Sequence, residues 1–198
     1  MEIDANTVRA LRDRTGAGMM DCKKALAASN GDVEKAVEHL RKMGIASADK
    51  RSHREAMQGR VECYLHPGNQ IGVLLEVNSE TDFVAKTEDF KSFCHEVAMH
   101  IAATRPLAVS PDDLDPAFVA KEREIYLEQV RQSGKPENIW ERIIEGRMKK
   151  FHEEVCLLDQ PWVKDNERTI ETLRKELSGK VGENIIVRRF AVFQVGQR

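Results

Sequence analysis

The stretch VECYLHPGNQIGVLLEV, residues 61–77, decides the fold class of this chain. Apolar side chains occupy every second position on both sides of the tetrapeptide HPGN, residues 66–69. They are Val61, Cys63, Leu65, Ile71, Val73, Leu75 and Val77. A period of two is typical of strands with one buried face, and Pro-Gly-Asn is a turn-forming sequence. The stretch therefore predicts a β-hairpin with one strongly apolar face.

A third strand is predicted by the last apolar stretch, IIVRRFAVFQV at residues 185–195. Both of its faces are mainly apolar, and such a strand is expected inside a sheet or at a contact between subunits. We expect it to join the hairpin in a three-stranded antiparallel sheet that is packed with helices. The predicted fold class is therefore α+β.

An N-terminal domain of three short helices is predicted over residues 1–45. Asp4 can cap the first helix and Gly16 can end it, while the second is expected from about Met19 to Ala28 and Asp32 can cap the third. Each helix is too short to be stable alone. Packed together, the three can bury their apolar faces against one another.

The rest of the chain is predicted to be a linker over residues 46–59 and a core over residues 60–198. The linker is polar and locally basic, which is typical of a solvated helix or tether. In the core, Thr87 can cap a helix. A last helix is expected to end at Gly179.

A helical hairpin is predicted within the core at about residues 115–157. Asp115 and Pro116 can start its first helix, because proline is tolerated at the first helical position. The short SGKP turn at residues 133–136 leads into a second long helix. So short a connection predicts that the two helices lie antiparallel.

Composition narrows the range of possible functions. The net charge of −2 gives no general attraction to nucleic acid or membranes, and the apolar stretches are too short to cross a bilayer. Residues 1–4 are polar and acidic, unlike a signal peptide. The four cysteines include no C-x-x-C pair, so we expect reduced thiols and a cytoplasmic location.

Several segments resemble signatures of the elongation factor Ts family and follow one another in the expected order. They are RTGAGMMDCKKAL at 14–26, EVNSETDFVAK at 76–86, GKP at 134–136, EGRMKKF at 145–151, QP at 160–161 and GENI at 182–185. Ser79 stands where many members have cysteine, and Trp162 where phenylalanine is commoner. The resemblance covers essentially the whole chain and implies a ubiquitin-associated-like fold for the three N-terminal helices.

The resemblance implies a guanine nucleotide exchange factor that releases GDP from elongation factor Tu. Such a protein carries out no bond chemistry and needs no cofactor or metal. Its partner is elongation factor Tu, with no direct binding of nucleic acid or membrane. Longer members carry a second, related half-core, and this chain has room for only one. It thus resembles the members that form homodimers through their sheets, which implies a 2:2 complex.

Two groups of residues are implied to contact elongation factor Tu. Those that reach its magnesium site are Thr81, Asp82, Phe83 and Val84, and those of the N-terminal domain are Arg12, Met19 and Met20. A junction between strand and helix exposes side chains on a rigid base. Phe83 is thus expected to act as an apolar wedge beside an orienting charge, and to weaken the grip of the metal and phosphate loop on GDP.

Ordinary structural roles remain open for the same residues. Phe83 could be a core residue at the start of a helix, and Asp82 could simply cap that helix. Val84 is expected to pack beneath Phe83. Of Met19 and Met20, one is expected to be buried and one exposed.

Three other classes of function are less favoured. A zinc site at Cys63 and His66, completed by Cys94 and His95 or by His53, has the wrong spacing for a known finger. An RNA-binding module that uses the basic residues at 50–54 and 147–150 conflicts with the balanced charge. A ubiquitin-like adaptor that uses only the N-terminal helices leaves the TDF segment unexplained. No Ser, Cys or His constellation suggests a nucleophile.

Overall fold

The computed structural model describes residues 3–197, so residues 1, 2 and 198 of the predicted domain ranges lie outside the described residues. The described residues form eight α-helices and five β-strands. The helices are α1 (Ala5–Thr15), α2 (Met19–Ala28), α3 (Val33–Asp49), α4 (Asp82–Ala85), α5 (Glu88–Thr104), α6 (Pro116–Gln132), α7 (Trp140–Val155) and α8 (Ile170–Val181). The strands are β1 (Gln58–Leu65), β2 (Ile71–Ser79), β3 (Pro161–Trp162), β4 (Asp165–Thr169) and β5 (Ile186–Gln194). The predicted α+β class is confirmed.

The predicted three-stranded sheet is present, in the order β1-β2-β5 and antiparallel. The hairpin turn closes as expected, because the His66 N–H donates to the Ile71 carbonyl at 2.9 Å. The prediction that the hairpin has a single apolar face is wrong, because Val61, Cys63 and Leu65 of β1 are exposed whereas Val73, Leu75 and Val77 of β2 are buried. The Val195 N–H donates to the Gln70 carbonyl at 3.0 Å, which fixes the register at the end of β5. In the sheet that the described residues form, β5 is an edge strand. The expectation that it lies inside a sheet is therefore wrong, and a subunit contact remains the other interpretation.

The first of two compact units comprises residues up to 60, 77–93 and 172–186. Its N-terminal part is the predicted three-helix bundle, whose buried cluster is Val8, Leu11, Cys22, Ala25, Leu26, Ala36 and Leu40. The Asp4 carboxylate accepts from the Thr7 N–H and the Asp32 carboxylate from the Lys35 N–H, so both predicted caps are confirmed.

The structure shows where two of the helices in this unit end. Helix α3 continues to Asp49, so residues 46–49 of the predicted linker are helical, which is one of the two forms expected of that linker. Gly179 lies inside α8, which ends at Val181. A Cβ on Gly179 would lie 2.6 Å from the Cα of Gly44, so this glycine permits close packing of α8 against α3. The prediction that the last helix ends at Gly179 is therefore wrong.

The second unit comprises residues 61–76, 94–171 and 187 onward, and contains the helical hairpin of α6 and α7. The Asp115 carboxylate accepts from the Ala117 N–H at 2.9 Å, as the predicted cap of α6. Phe118 of α6 packs against Phe151 of α7, with ring centroids 5.6 Å apart. The predicted hairpin is thus present. The small antiparallel pair β3–β4 was not predicted.

Among the helices of the described residues, none has the length and apolar character needed to cross a bilayer.

Candidate functional site

The segment Thr81–Val84 lies in the first unit, where β2 ends and the single-turn helix α4 begins. The Thr81 hydroxyl accepts from the Val84 N–H at 3.5 Å, and Thr81 has the extended backbone of a helix cap. The alternative that Asp82 is the cap is therefore wrong. Thr81 fixes the start of α4, and Asp82 and Phe83 follow it as the first two helical residues.

Phe83 points into solvent, with 78% of its surface exposed. The alternative that Phe83 is a core residue is therefore wrong. Its neighbours differ, because Val84 is half-buried and Ala85 is buried. The segment is thus anchored in the core by Ala85, while the larger side chain of Phe83 lies on the surface. An exposed phenylalanine beside anchored residues is suited to contact with another molecule.

Asp82 carries a negative charge next to this ring. The Lys86 ammonium donates to the Asp82 carboxylate at 2.5 Å, and this hydrogen bond lowers the pKa of Asp82 below its ordinary value. Lys86 Nζ also lies 5.9 Å from the centroid of the Phe83 ring. One cation therefore faces both the carboxylate and the ring, and the carboxylate stays ionised at neutral pH.

Thr81 is held by a residue that the sequence interpretation did not include in the site. One oxygen of the Glu183 carboxylate accepts from the Thr81 N–H at 3.0 Å, and the other accepts from the Thr81 hydroxyl at 2.6 Å. Glu183 belongs to the GENI segment that carried part of the resemblance. Its partner lies 102 residues away, so no local pattern connects the two.

The second predicted contact group, on α1 and α2, is fully on the surface. Arg12 is exposed, and so are Met19 and Met20, at 44% and 65%. The expectation that one methionine is buried is wrong. Helix α2 buries Cys22, Ala25 and Leu26, which share one face at helical spacing, and this leaves the first turn of the helix outside the bundle.

Lys180, in the last turn of α8, reaches toward both predicted contact segments. Gly16 has φ +69°, and a Cβ there would lie 2.5 Å from Lys180 Cε, so the lysine stem passes close over the turn between α1 and α2. The Lys180 ammonium binds the Asp89 carboxylate at 2.7 Å, in the first turn of α5. Asp89 follows the Phe83 segment by one short turn. Both segments are thus supported by the C-terminal end of α8 and the residues that follow it.

The candidate zinc site receives no support from the geometry of the described residues. Within residues 3–197, no three His, Cys, Asp or Glu side chains are grouped as metal ligands. Cys63 is exposed whereas Cys94 is buried, and His66 Nδ1 faces the Tyr64 hydroxyl at 3.1 Å. These contacts are those of ordinary surface and core residues.

Comparison with known proteins adds independent information. The family model described as elongation factor TS matches residues 17–197. The chain is 54% identical to elongation factor Ts of Moorella thermoacetica, over 98% of this chain and 96% of that protein. It is also 54% identical to elongation factor Ts of Syntrophobacter fumaroxidans, over 99% of this chain and 98% of that protein. The protein of the same name from Geotalea uraniireducens is 52% identical, over 100% of this chain and 91% of that protein.

Proposed function

The chain belongs to the elongation factor Ts family, and from that premise we propose that it is a guanine nucleotide exchange factor for elongation factor Tu. It binds the GDP-loaded GTPase, loosens the magnesium and phosphate site, and lets GDP leave. It forms or breaks no covalent bond and uses no cofactor or metal of its own. Its place of action is the cytoplasm, where it binds neither nucleic acid nor membrane directly.

The observation that carries the proposal is the exposed ring of Phe83 on a firmly held turn. Aromatic residues, phenylalanine among them, are enriched in the buried cores of protein interfaces. An exposed ring can displace groups of a partner only if its own backbone is held rigidly. The cap at Thr81 and the buried Ala85 supply that resistance on the two sides of Phe83.

The mechanism that we propose is a competition for the metal site. GDP is held in a GTPase by a phosphate-cradling loop, a helix N-terminus and Mg²⁺. When Phe83 and Asp82 enter beside the cation, they displace groups that support its coordination, and the affinity for nucleotide falls. Because coupling between two ligands is reciprocal, bound nucleotide lowers the affinity for the exchange factor by the same factor. GTP then replaces GDP because it is the more abundant nucleotide.

The surface of α1 and α2 supplies a second contact in this proposal. Met19 and Met20 offer flexible, polarizable side chains that adapt to an uneven partner surface. Arg12 adds a cation that can pair with a carboxylate of the nucleotide-binding domain. The two contacts have different roles in this proposal: the methionine surface binds the partner, and Phe83 acts on the metal site.

We further propose that two copies of this chain form a homodimer through the outer face of the sheet, and that the dimer binds two molecules of elongation factor Tu. Large apolar side chains are exposed at the second unit's strands and strand ends. They are Val61, Leu65, Leu74, Phe193 and Val195. Leu65, Phe193 and Val195 line one hollow of the surface, and a contiguous apolar patch is unusual on a soluble monomer. A second copy supplies a surface of the same apolar character, as two-fold symmetry requires.

The exchange function is tested by mixing. Elongation factor Tu loaded with a fluorescent GDP analogue is diluted into excess unlabelled GDP, with and without a substoichiometric amount of this protein. We expect release of the analogue to accelerate and each molecule of the factor to act many times. A release rate that is the same with and without the factor refutes the proposal.

The dimer is tested separately by light scattering at micromolar concentration. We expect twice the mass of one chain. The mass of a single chain at that concentration contradicts the homodimer and leaves the exchange function standing.

A further inference from the structure

We propose that Glu183 is a positioning residue for nucleotide exchange: its carboxylate holds Thr81 so that Phe83 is presented in one orientation. The inference rests on the proposed exchange function. Glu183 accepts both hydrogen bonds that Thr81 can donate, one from the backbone N–H at 3.0 Å and one from the hydroxyl at 2.6 Å. Hydrogen bonds to an ionised carboxylate are among the stronger ones in proteins.

The two segments hold each other reciprocally. While Glu183 accepts from the Thr81 N–H, the Glu80 carboxylate accepts from the Asn184 N–H at 2.7 Å. Each segment therefore contributes one carboxylate and one backbone N–H, and the carboxylate of each binds the N–H of the other. Such a pair of bonds fixes both the distance and the relative direction of the two chains.

Glu183 is itself immobilised by contacts that do not involve the Phe83 turn. The Ser178 hydroxyl donates to the Glu183 carbonyl at 2.6 Å. The buried side-chain amide of Asn184 donates to the carbonyl groups of Ser52 and Arg54, at 3.2 and 2.7 Å. The carboxylate is therefore presented from a fixed backbone, so it can restrain Thr81.

Helix α4 needs such a restraint because it has only four residues. A single helical turn is unstable without outside support. The Thr81 hydroxyl accepts from the Val84 N–H and donates its own proton to Glu183, so one group joins the helix cap to the restraint. Without Glu183 the hydroxyl is free to rotate, the cap weakens, and the Phe83 ring samples several directions.

The test uses Glu183→Gln in the assay of GDP-analogue release from elongation factor Tu. The amide removes the negative charge from both bonds, and its NH₂ group cannot accept the Thr81 hydroxyl proton, so the charge-assisted pair is lost with little change in volume. We expect the maximal release rate to fall about tenfold, equivalent to about 1.4 kcal/mol. The concentration of factor at half-maximal rate should change less than threefold, because the methionine surface is intact. Glu145→Gln, on the exposed face of α7, is the matched control and should leave both quantities unchanged.

A double variant separates positioning from other roles. If Glu183 acts through Phe83, Glu183→Gln should cause no further loss in a chain that already carries Phe83→Ala. An equal loss in both backgrounds overturns the proposal, and so does a single variant with the rate of the unmodified chain. Thr81→Val, which lacks the hydroxyl, should show the same pattern and serves if Glu183→Gln does not fold.

A measurement without the partner keeps the two proposals distinct. Amide hydrogen exchange of residues 81–85 should be faster in Glu183→Gln than in the unmodified chain, with α1–α3 unchanged. If residues 81–85 are equally protected in both proteins, the positioning role is overturned, whatever the GDP-release assay gives. If the unmodified chain releases no GDP analogue while this protection differs, the proposed function fails and the restraint of the turn by Glu183 still stands.

Discussion

Replacement of Phe83 by alanine removes an exposed ring, and its effect on folding can be worked out from the structure. Because 78% of the residue is exposed, only about a fifth of its surface is covered in the fold. A phenylalanine buries about 200 Å² when fully enclosed, so the loss here is roughly 40 Å², or about 1 kcal/mol of unfolding free energy. A fully buried phenylalanine costs about 3–5 kcal/mol instead.

The effect on exchange should be larger. If the ring is enclosed by the partner at the magnesium site, its loss should cost about 2–4 kcal/mol, the range of an interface hot spot. At about 1.4 kcal/mol for each factor of ten, that is roughly a 30- to 1,000-fold slower maximal release of GDP. Binding to elongation factor Tu should fall much less, because Arg12, Met19 and Met20 remain.

Stopped-flow release of a fluorescent GDP analogue at saturating factor measures the first quantity, and titration of the factor measures the second. Met57→Ala is the matched control, because Met57 is an exposed apolar residue of the same unit, at 80%, outside the predicted contact groups. It should leave both quantities unchanged. A Phe83→Ala protein that releases GDP at the unmodified rate refutes the wedge, and so does a control that loses as much as Phe83→Ala.

The other predictions concern packing and assembly. Gly179→Ala should lower the free energy of urea unfolding by about 1–3 kcal/mol, because the new Cβ meets the backbone of Gly44. Gly146→Ala in α7 is the control, because its Cβ has open space and should not be destabilising. Equal effects of the two substitutions would contradict the close approach of α8 and α3. If the proposed dimer forms through the sheet, Phe193→Asp places a charge in its interface and should give the mass of one chain in light scattering. Ile125→Asp, on the exposed side of α6, should leave the mass unchanged.

The sequence predicted those features whose causes are local. The caps at Asp4, Asp32 and Asp115 act on backbone groups two or three residues away, and each is present. The turn at residues 66–69 joins two strands whose alternation is visible in the sequence alone. The exposure of Phe83 followed from the resemblance, because an apolar residue after a strand is by itself more often part of the core.

Features with distant causes were missed. Gly179 carries the local signal of a helix end, but α8 ends at Val181 and the positive φ (+77°) belongs to Gly182. Gly179 instead lies against Gly44, 135 residues away in the sequence. Glu183 has no local signal as a site residue, since its two bonds to Thr81 span 102 residues of the sequence. The prediction that one of the two methionines of α2 is buried failed because the sequence does not show how far the first turn of α2 extends beyond the bundle.

His100 shows how a buried network outside the candidate site makes stability depend on pH. In the second unit, the Val163 N–H donates to His100 Nδ1 at 3.3 Å, so the neutral ring must carry its proton on Nε2 and donate it to the Gln160 amide oxygen at 2.9 Å. Burial lowers the pKa of His100 below its ordinary value of 6.5, despite the opposing hydrogen bond with Gln160. A second proton on Nδ1 would oppose the Val163 N–H directly.

The sign of the pH effect follows from proton binding. Between the lowered pKa of the folded chain and about 6.5, the unfolded chain binds the proton and the folded chain does not, so unfolding free energy falls as the pH falls through this window, by at most about 1.4 kcal/mol per pH unit. Urea unfolding at pH 7.5, 6.5 and 5.5 measures it. His100→Gln, which keeps a donor for Gln160, should lose this contribution to the slope, and His95→Gln, at an exposed position, should keep it. The same slope in all three proteins would show that acid acts on other groups and that His100 titrates alike in the folded and unfolded chain.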